Sequence, residues 1–140
     1  MIMKLSGWGN HPVIESKVIN PKSLDEINED LRLFAKSNEI GIDCLQSNSE
    51  GDIVSMIQEA PENYDGLVIN PAAYTHYSIA IRDALASIEI PKIEVHLSNI
   101  YQREPFRQTS VTAAVCHGVI SGFATNSYFL AIQQLIILLK

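Results

Sequence analysis

Short apolar runs alternate with longer amphipathic segments along this chain. The apolar runs predict β-strands, which lie at 2–6, 40–46, 67–70, 93–97 and 115–121. The segments between them carry apolar residues at helical spacing and predict α-helices, which begin near Ser23, Ser49, Ser78 and Asn126. No hairpin signal separates consecutive strands, and helical segments between strands are typical of βαβ crossovers. The pattern therefore predicts an α/β domain with a five-stranded parallel sheet.

Two of these helices carry clear signals at their ends. Ser23 and Glu26 form the sequence pattern of a capping box, which favours a helix start at this point. Pro61 predicts the end of the second helix, because proline lacks the backbone N–H that a helix interior needs.

Composition and charge narrow the class of protein. The chain has 140 residues, which predicts one domain over 1–140. Its net charge of −6, with scattered Lys and Arg, argues against nucleic acid and against an anionic membrane as partners. Cys44 and Cys116 lie in apolar runs and are expected to be buried thiols, and no CxxC, P-loop or Rossmann glycine motif is present. Without a signal peptide or a membrane-spanning run, the expected location is the cytoplasm.

Polar, titratable residues follow two of the predicted strands. One stretch is 70–76 (Asn-Pro-Ala-Ala-Tyr-Thr-His), and the other is 94–99 (Glu-Val-His-Leu-Ser-Asn). In open α/β sheets, ligands bind at the carboxyl ends of the strands, so both stretches are candidate site segments. Glu94 and His96 are two residues apart on a strand, so their side chains are expected on the same face. By itself such a pair is more often structural or solvated.

Several multi-residue motifs resemble type II 3-dehydroquinate dehydratases. They are 46–51, 70–76 followed by 81–85, 94–99 followed by 103–107, and 118–123 followed by Tyr128 and Ala131. The resemblance covers roughly 24–136, in order and at fitting distances. It implies a flavodoxin-like three-layer sandwich, a homo-oligomer (a trimer or a dodecamer), and no cofactor or metal.

The resemblance also implies a reaction: elimination of water from 3-dehydroquinate, or a related cyclic hydroxy-keto acid, through an enolate. His96 is the implied general acid, because an imidazole can hold and release a proton near neutral pH, and Glu94 is expected to fix its tautomer. Asn70 is implied to stabilise the enolate, although an Asn here is also a helix cap. The implied substrate-binding residues are His76, Asp83, Leu97, Ser98, Arg103 and Arg107. Without the family, His76 would be interpreted as a surface histidine, and the arginines as solvated. Asp83 is seven residues from His76, which predicts that both lie on the same face of one helix. The resemblance implies that Asp83 reaches the site of a neighbouring subunit.

The amino-terminal segment departs from the family pattern. Relatives of this kind carry an Arg and a Tyr in a loop before the first helix, and that Tyr is the base that removes a proton from carbon. This chain has no tyrosine before Tyr64 and no arginine before Arg32. The candidates for a substitute base are His11 and Glu15, then Lys17, with Tyr101 and Tyr128 as more distant alternatives.

Two other functions are compatible with the sequence. The chain is alternatively a catalytically impaired homologue that binds a cyclic acid or serves as an assembly subunit. A flavodoxin-like signalling or electron-transfer module is a further alternative. It is disfavoured because Asn70, not Asp, ends the third strand, and because 7–12 lacks the Ser/Thr-rich character of a flavin phosphate loop.

Overall fold

A computed structural model describes residues 2–6 and 22–140. The strands are β1 (Ile2–Ser6), β2 (Gly41–Leu45), β3 (Gly66–Ile69), β4 (Lys92–His96) and β5 (Gly118–Ser121). The helices are α1 (Leu24–Ser37), α2 (Glu50–Asn63), α3 (Ile79–Ser87) and α4 (Asn126–Leu138). Short 3-10 turns lie at Ala72–His76, Ile100–Gln102, Pro105–Arg107 and Ala113–Val115. The predicted α/β class is confirmed.

The strands form one sheet in the order β2-β1-β3-β4-β5. β3 is parallel to β4, and β4 is parallel to β5. β1 is antiparallel to both β2 and β3, so the prediction of a wholly parallel sheet is wrong. The apolar pattern fixes where a strand lies but not its direction. At about 3.3–3.6 Å per residue, the residues between β1 and α1 are enough to return the chain to either end of a five-residue strand.

The strand directions define two edges of the sheet. The carboxyl ends of β3, β4 and β5 lie at one edge, because these three strands are parallel. Ile2 is paired with Ile69 and Leu5 with Gly66, so β1 ends at the opposite edge. Among the described residues, the segments that follow β3 and β4 are therefore the ones that start at the same edge as the carboxyl ends of these two strands.

The ends of α1 and α2 show how local chemistry sets the helices. The Ser23 hydroxyl accepts from the Glu26 N–H at 3.3 Å, and the Ser23 N–H donates to the Glu26 carboxylate at 2.7 Å. This confirms the capping box. α2 continues to Asn63 with Pro61 inside it, so the prediction that Pro61 ends the helix is wrong. Pro61 lies in the last turn, where its missing N–H removes a single helical hydrogen bond.

Apolar side chains fill both faces of the sheet. On one face, α1 and α4 pack against β3 and β4, with Leu31, Val68 and Leu135 fully buried. On the other face, α2 and α3 pack against β3, where Ile57 and Leu85 are fully buried. Helices therefore pack on both sides of the sheet, and β3 is covered on both of its faces. In the part of the chain that the structure describes, no helix is both long and apolar enough to cross a membrane.

Leu135→Ala tests the α4 layer of this core. The Leu135 side chain has no solvent exposure, so its truncation removes buried apolar surface and leaves a cavity. We expect the free energy of unfolding in urea to fall by about 2–5 kcal/mol. Leu138→Ala is the matched control, because Leu138 lies on the same helix and is 42% exposed. A change within about 0.5 kcal/mol is expected there. Equal losses for the two variants would contradict the packing described.

Candidate active site

A cavity of about 330 Å³ lies at the carboxyl ends of β3 and β4. Its walls come from the ends of these strands and from the segments that follow them. The lining residues are Asn70, Ala72, Ala73, His76, His96, Leu97, Ser98, Ile100, Arg103 and Arg107. The structure thus brings both polar stretches noted in the sequence to one concave site.

Glu94 and His96 form the buried centre of this site. The Glu94 Oε1 atom lies 2.7 Å from the His96 Nε2 atom, with Glu94 fully buried and His96 6% exposed. The expectation that both side chains leave β4 on one face is confirmed by this contact. A carboxylate can only accept, so Nε2 donates and Nδ1 is the ring nitrogen available to a molecule in the cavity.

Two hydroxyl groups complete the surroundings of Glu94. The Ser110 hydroxyl donates to Oε1 at 2.8 Å, and the Thr112 hydroxyl donates to Oε2. Both come from the segment between Arg107 and β5. Sequence reasoning missed these residues. The available signal was the hydroxyl-rich run Thr109-Ser110-Val111-Thr112, but nothing local shows that it packs against β4.

Asn70 is held from both ends of its amide. Its Oδ1 atom accepts from the Ala72 N–H at 3.1 Å, and its Nδ2 atom donates to the Tyr128 hydroxyl at 3.0 Å. Asn70 therefore caps the turn that follows β3, as the alternative interpretation held, and it also lines the cavity. The sequence predicted neither the hydrogen bond to Tyr128 in α4 nor the hydroxyl groups that donate to Glu94.

Tyr128 is poorly suited to act as a base. Burial raises the pKa of its phenol, and the hydrogen bond from Asn70 opposes this only in part. The side chain is 3% exposed and does not line the cavity. Tyr101, the other distant candidate, is 70% exposed and is also absent from the lining. The remaining candidates His11, Glu15 and Lys17 lie outside the described residues.

His76 presents one defined tautomer to the cavity. Its Nδ1 atom lies 2.7 Å from the Thr109 carbonyl oxygen. Because a carbonyl oxygen only accepts, Nδ1 carries the hydrogen and Nε2 is left to accept or donate elsewhere. His76 is thus fixed by the same 109–112 segment that holds Glu94.

Two arginines and two backbone positions form the polar rim. Arg107 pairs with Glu104 at 3.3 Å, and its guanidinium lies 5.2 Å from the centre of the Phe106 ring. Arg103 also lines the cavity, as do Leu97 and Ser98 directly after β4. All four were expected at this site, and the rim supplies cationic groups suited to an anionic ligand.

Asp83 does not lie where the sequence predicted. His76 ends the turn Ala72–His76, whereas Asp83 belongs to α3, which is capped separately by the Ser78 hydroxyl. The two residues are therefore not on one helix, and the predicted shared face is wrong. Asp83 is exposed and is not among the residues that line the cavity. Among the described residues, no group of three or more His, Cys, Asp or Glu side chains is arranged to hold a metal ion.

Comparison with known proteins identifies the class of protein that this fold and site define. The family model "Dehydroquinase class II" matches residues 13–136. The chain belongs to this family, which confirms the resemblance seen in the sequence.

The most informative relatives are named as enzymes. The chain is 52% identical, over 84% of its length and 75% of the relative, to "3-dehydroquinate dehydratase" of a Nitratiruptor species. It is 51% identical, over 84% of its length and 80% of the relative, to the protein of the same name from Caldanaerobacter subterraneus subsp. tengcongensis. The crystal structure of type II dehydroquinase from Butyrivibrio crossotus matches 81% of this chain and 80% of its own, with a TM-score of 0.77 and 49% identity.

Tyr128→Phe tests the tie between α4 and Asn70. The variant leaves the Asn70 Nδ2 group without its hydroxyl acceptor, so we expect the free energy of unfolding at pH 7 to fall by about 1 kcal/mol. Burial raises the pKa of Tyr128 in the folded state, so the wild type loses stability as pH rises from about 10, where the unfolded tyrosine ionises, towards the folded pKa. The phenylalanine variant has no phenol to ionise. The difference in free energy of unfolding between the wild type and the variant should therefore become smaller above pH 10. Urea titrations at pH 7 and at alkaline pH measure both effects. A difference in free energy of unfolding that stays the same at the two pH values would contradict the raised pKa of Tyr128.

Proposed function

We propose that this protein is a type II 3-dehydroquinate dehydratase, a hydro-lyase that eliminates water from 3-dehydroquinate through an enolate. The observation that carries the proposal is the buried Glu94–His96 pair, which opens onto a cavity in a chain of the class II dehydroquinase family. Relatives about half identical over most of the chain bear the name of this activity. The substrate is a small cyclic carboxylic acid.

His96 is the proposed general acid. Its Nε2 atom is occupied by Glu94, so the proton for the departing hydroxyl comes from Nδ1. The doubly protonated imidazole is the form that can donate from Nδ1 and still keep its hydrogen bond to Glu94. As the carbon–oxygen bond breaks, the hydroxyl leaves as water and His96 becomes neutral.

Asn70 and the rim residues have the proposed task of binding. The Asn70 amide, held by Ala72 and Tyr128, is a fixed polar group beside the position where enolate charge would develop. The backbone N–H groups of Leu97 and Ser98 are proposed to receive the substrate carboxylate. His76, Arg103 and Arg107 line the same cavity, where they are proposed to bind ring hydroxyls and the anion.

The group that removes the proton from carbon is proposed to come from the amino-terminal segment. His11 and Glu15 are the candidates, and neither lies among the described residues. We expect His11→Ala or Glu15→Gln to lower kcat by about a hundredfold, with the other variant close to wild type. Lys17→Ala is the control. If all three variants keep full activity, the base lies elsewhere in the chain.

The wider features of the family are part of the proposal. The strand order β2-β1-β3-β4-β5 supports a flavodoxin-like three-layer arrangement of a single domain over 1–140. A homo-oligomer, a trimer or a dodecamer, is proposed with it, and the exposed Asp83 on α3 would then reach the site of a neighbouring subunit. Cys44 and Cys116 are free thiols, which supports action in the reducing cytoplasm.

His96→Ala tests the proposed activity. Without the acid, the departing hydroxyl leaves unprotonated, so we expect kcat for 3-dehydroquinate to fall by about a hundredfold or more. The ultraviolet absorbance of the enone carboxylate product measures the rate. His117→Ala is the matched control, since His117 is exposed and does not line the cavity. If the wild type binds 3-dehydroquinate in calorimetry but turns it over no faster than His96→Ala, the protein is not a dehydratase.

A further inference from the structure

We propose that Thr112, assisted by Ser110, is a positioning residue for the acid: the two hydroxyls hold the Glu94 carboxylate in the orientation in which it receives the Nε2 hydrogen of His96. The inference rests on the proposed function for its catalytic consequence.

A count of hydrogens around Glu94 supports this inference. Oε1 accepts from the Ser110 hydroxyl and from the His96 Nε2 atom, and Oε2 accepts from the Thr112 hydroxyl. Each hydroxyl has one hydrogen to donate, and an ionised carboxylate only accepts. Every contact is therefore satisfied at once when Glu94 is ionised and His96 carries its hydrogen on Nε2.

The two hydroxyls also contact each other. The Ser110 Oγ and Thr112 Oγ1 atoms lie 3.2 Å apart, so the pair spans both oxygens of the Glu94 carboxylate as one unit. Thr112 has no solvent exposure, so water cannot replace its hydroxyl without rearrangement. Loss of the Thr112 hydroxyl therefore removes the donor that Oε2 faces.

The segment that carries these hydroxyls is anchored independently of Glu94. The Val111 N–H donates to the Thr75 carbonyl at 2.8 Å, and the Val111 carbonyl accepts from the Arg82 guanidinium at 2.7 Å. The Ala113 N–H donates to the Ser110 hydroxyl at 2.9 Å. Thr112 precedes the turn Ala113–Val115 but its side chain does not cap that turn. The hydroxyl of Thr112 thus contacts the Glu94 carboxylate and the Ser110 hydroxyl.

Two other titratable side chains near Glu94 make their hydrogen bonds elsewhere. The Cys116 thiol donates to the Thr112 carbonyl, and burial first, then Glu94, raises its pKa to about 12, so it is neutral. Lys92 lies two residues earlier on β4, where its ammonium donates to the Ile88 carbonyl and burial lowers its pKa. Among the described residues, the side-chain donors to Glu94 are therefore His96, Ser110 and Thr112.

The test is Thr112→Val, which keeps the shape of the side chain and removes the hydroxyl. Ring nitrogen NMR of the full-length protein follows the tautomer of His96. We expect the preference of the neutral His96 ring for a hydrogen on Nε2 to weaken, because the carboxylate that receives this hydrogen is no longer held in place. We expect kcat to fall about tenfold, with KM within about twofold of wild type.

Two variants separate positioning from a purely structural effect. Thr112→Ser retains the hydroxyl and is expected to restore both the His96 tautomer and kcat. Thr75→Val is the matched control, because the Thr75 hydroxyl is equally buried but has no hydrogen-bond partner among the described residues. An unchanged His96 tautomer in Thr112→Val, or an equal change in Thr75→Val, overturns the inference. The NMR readout needs no turnover, so it decides the point even if the wild type proves inactive on 3-dehydroquinate.

Discussion

A fully buried carboxylate on an inner strand is the constraint on which the site depends. Glu94 has no solvent exposure and lies on β4, which is flanked by β3 and β5. An isolated charge there would be strongly unfavourable, so the fold must supply partners. His96 comes from the same strand, but Ser110 and Thr112 come from the segment before β5. The need to satisfy Glu94 thus couples the position of that segment to the position of the imidazole.

The same segment links the acid to the rest of the cavity. Its Thr109 carbonyl fixes the tautomer of His76, and its Val111 backbone is tied to Thr75 and Arg82. On the other side, α4 reaches Asn70 through the Tyr128 hydroxyl. The polar groups of the cavity are therefore set by rigid strands and by neighbouring backbone, which is the preorganisation that a charged intermediate requires.

Errors of the sequence interpretation have a common physical origin. The seven-residue spacing of His76 and Asp83 suggested one helix, but the Ser78 hydroxyl starts a new helix between them. Pro61 was taken as a helix end although a proline in a last turn removes only one hydrogen bond. The direction of β1 was taken from the expected crossover, whereas it runs antiparallel to its neighbours. In each case a local pattern was consistent with more than one arrangement in space.

By itself, the sequence determined the α/β class, the capping box of α1, the family, and the two stretches that line the cavity. These features are local, because periodicity, capping and contiguous motifs are encoded by neighbouring residues. Tertiary structure alone decided the hydroxyl partners of Glu94, the tie between Asn70 and Tyr128, and the tautomer of His76. These contacts join residues 16 to 58 positions apart, and no local pattern states which distant donor will meet which buried acceptor.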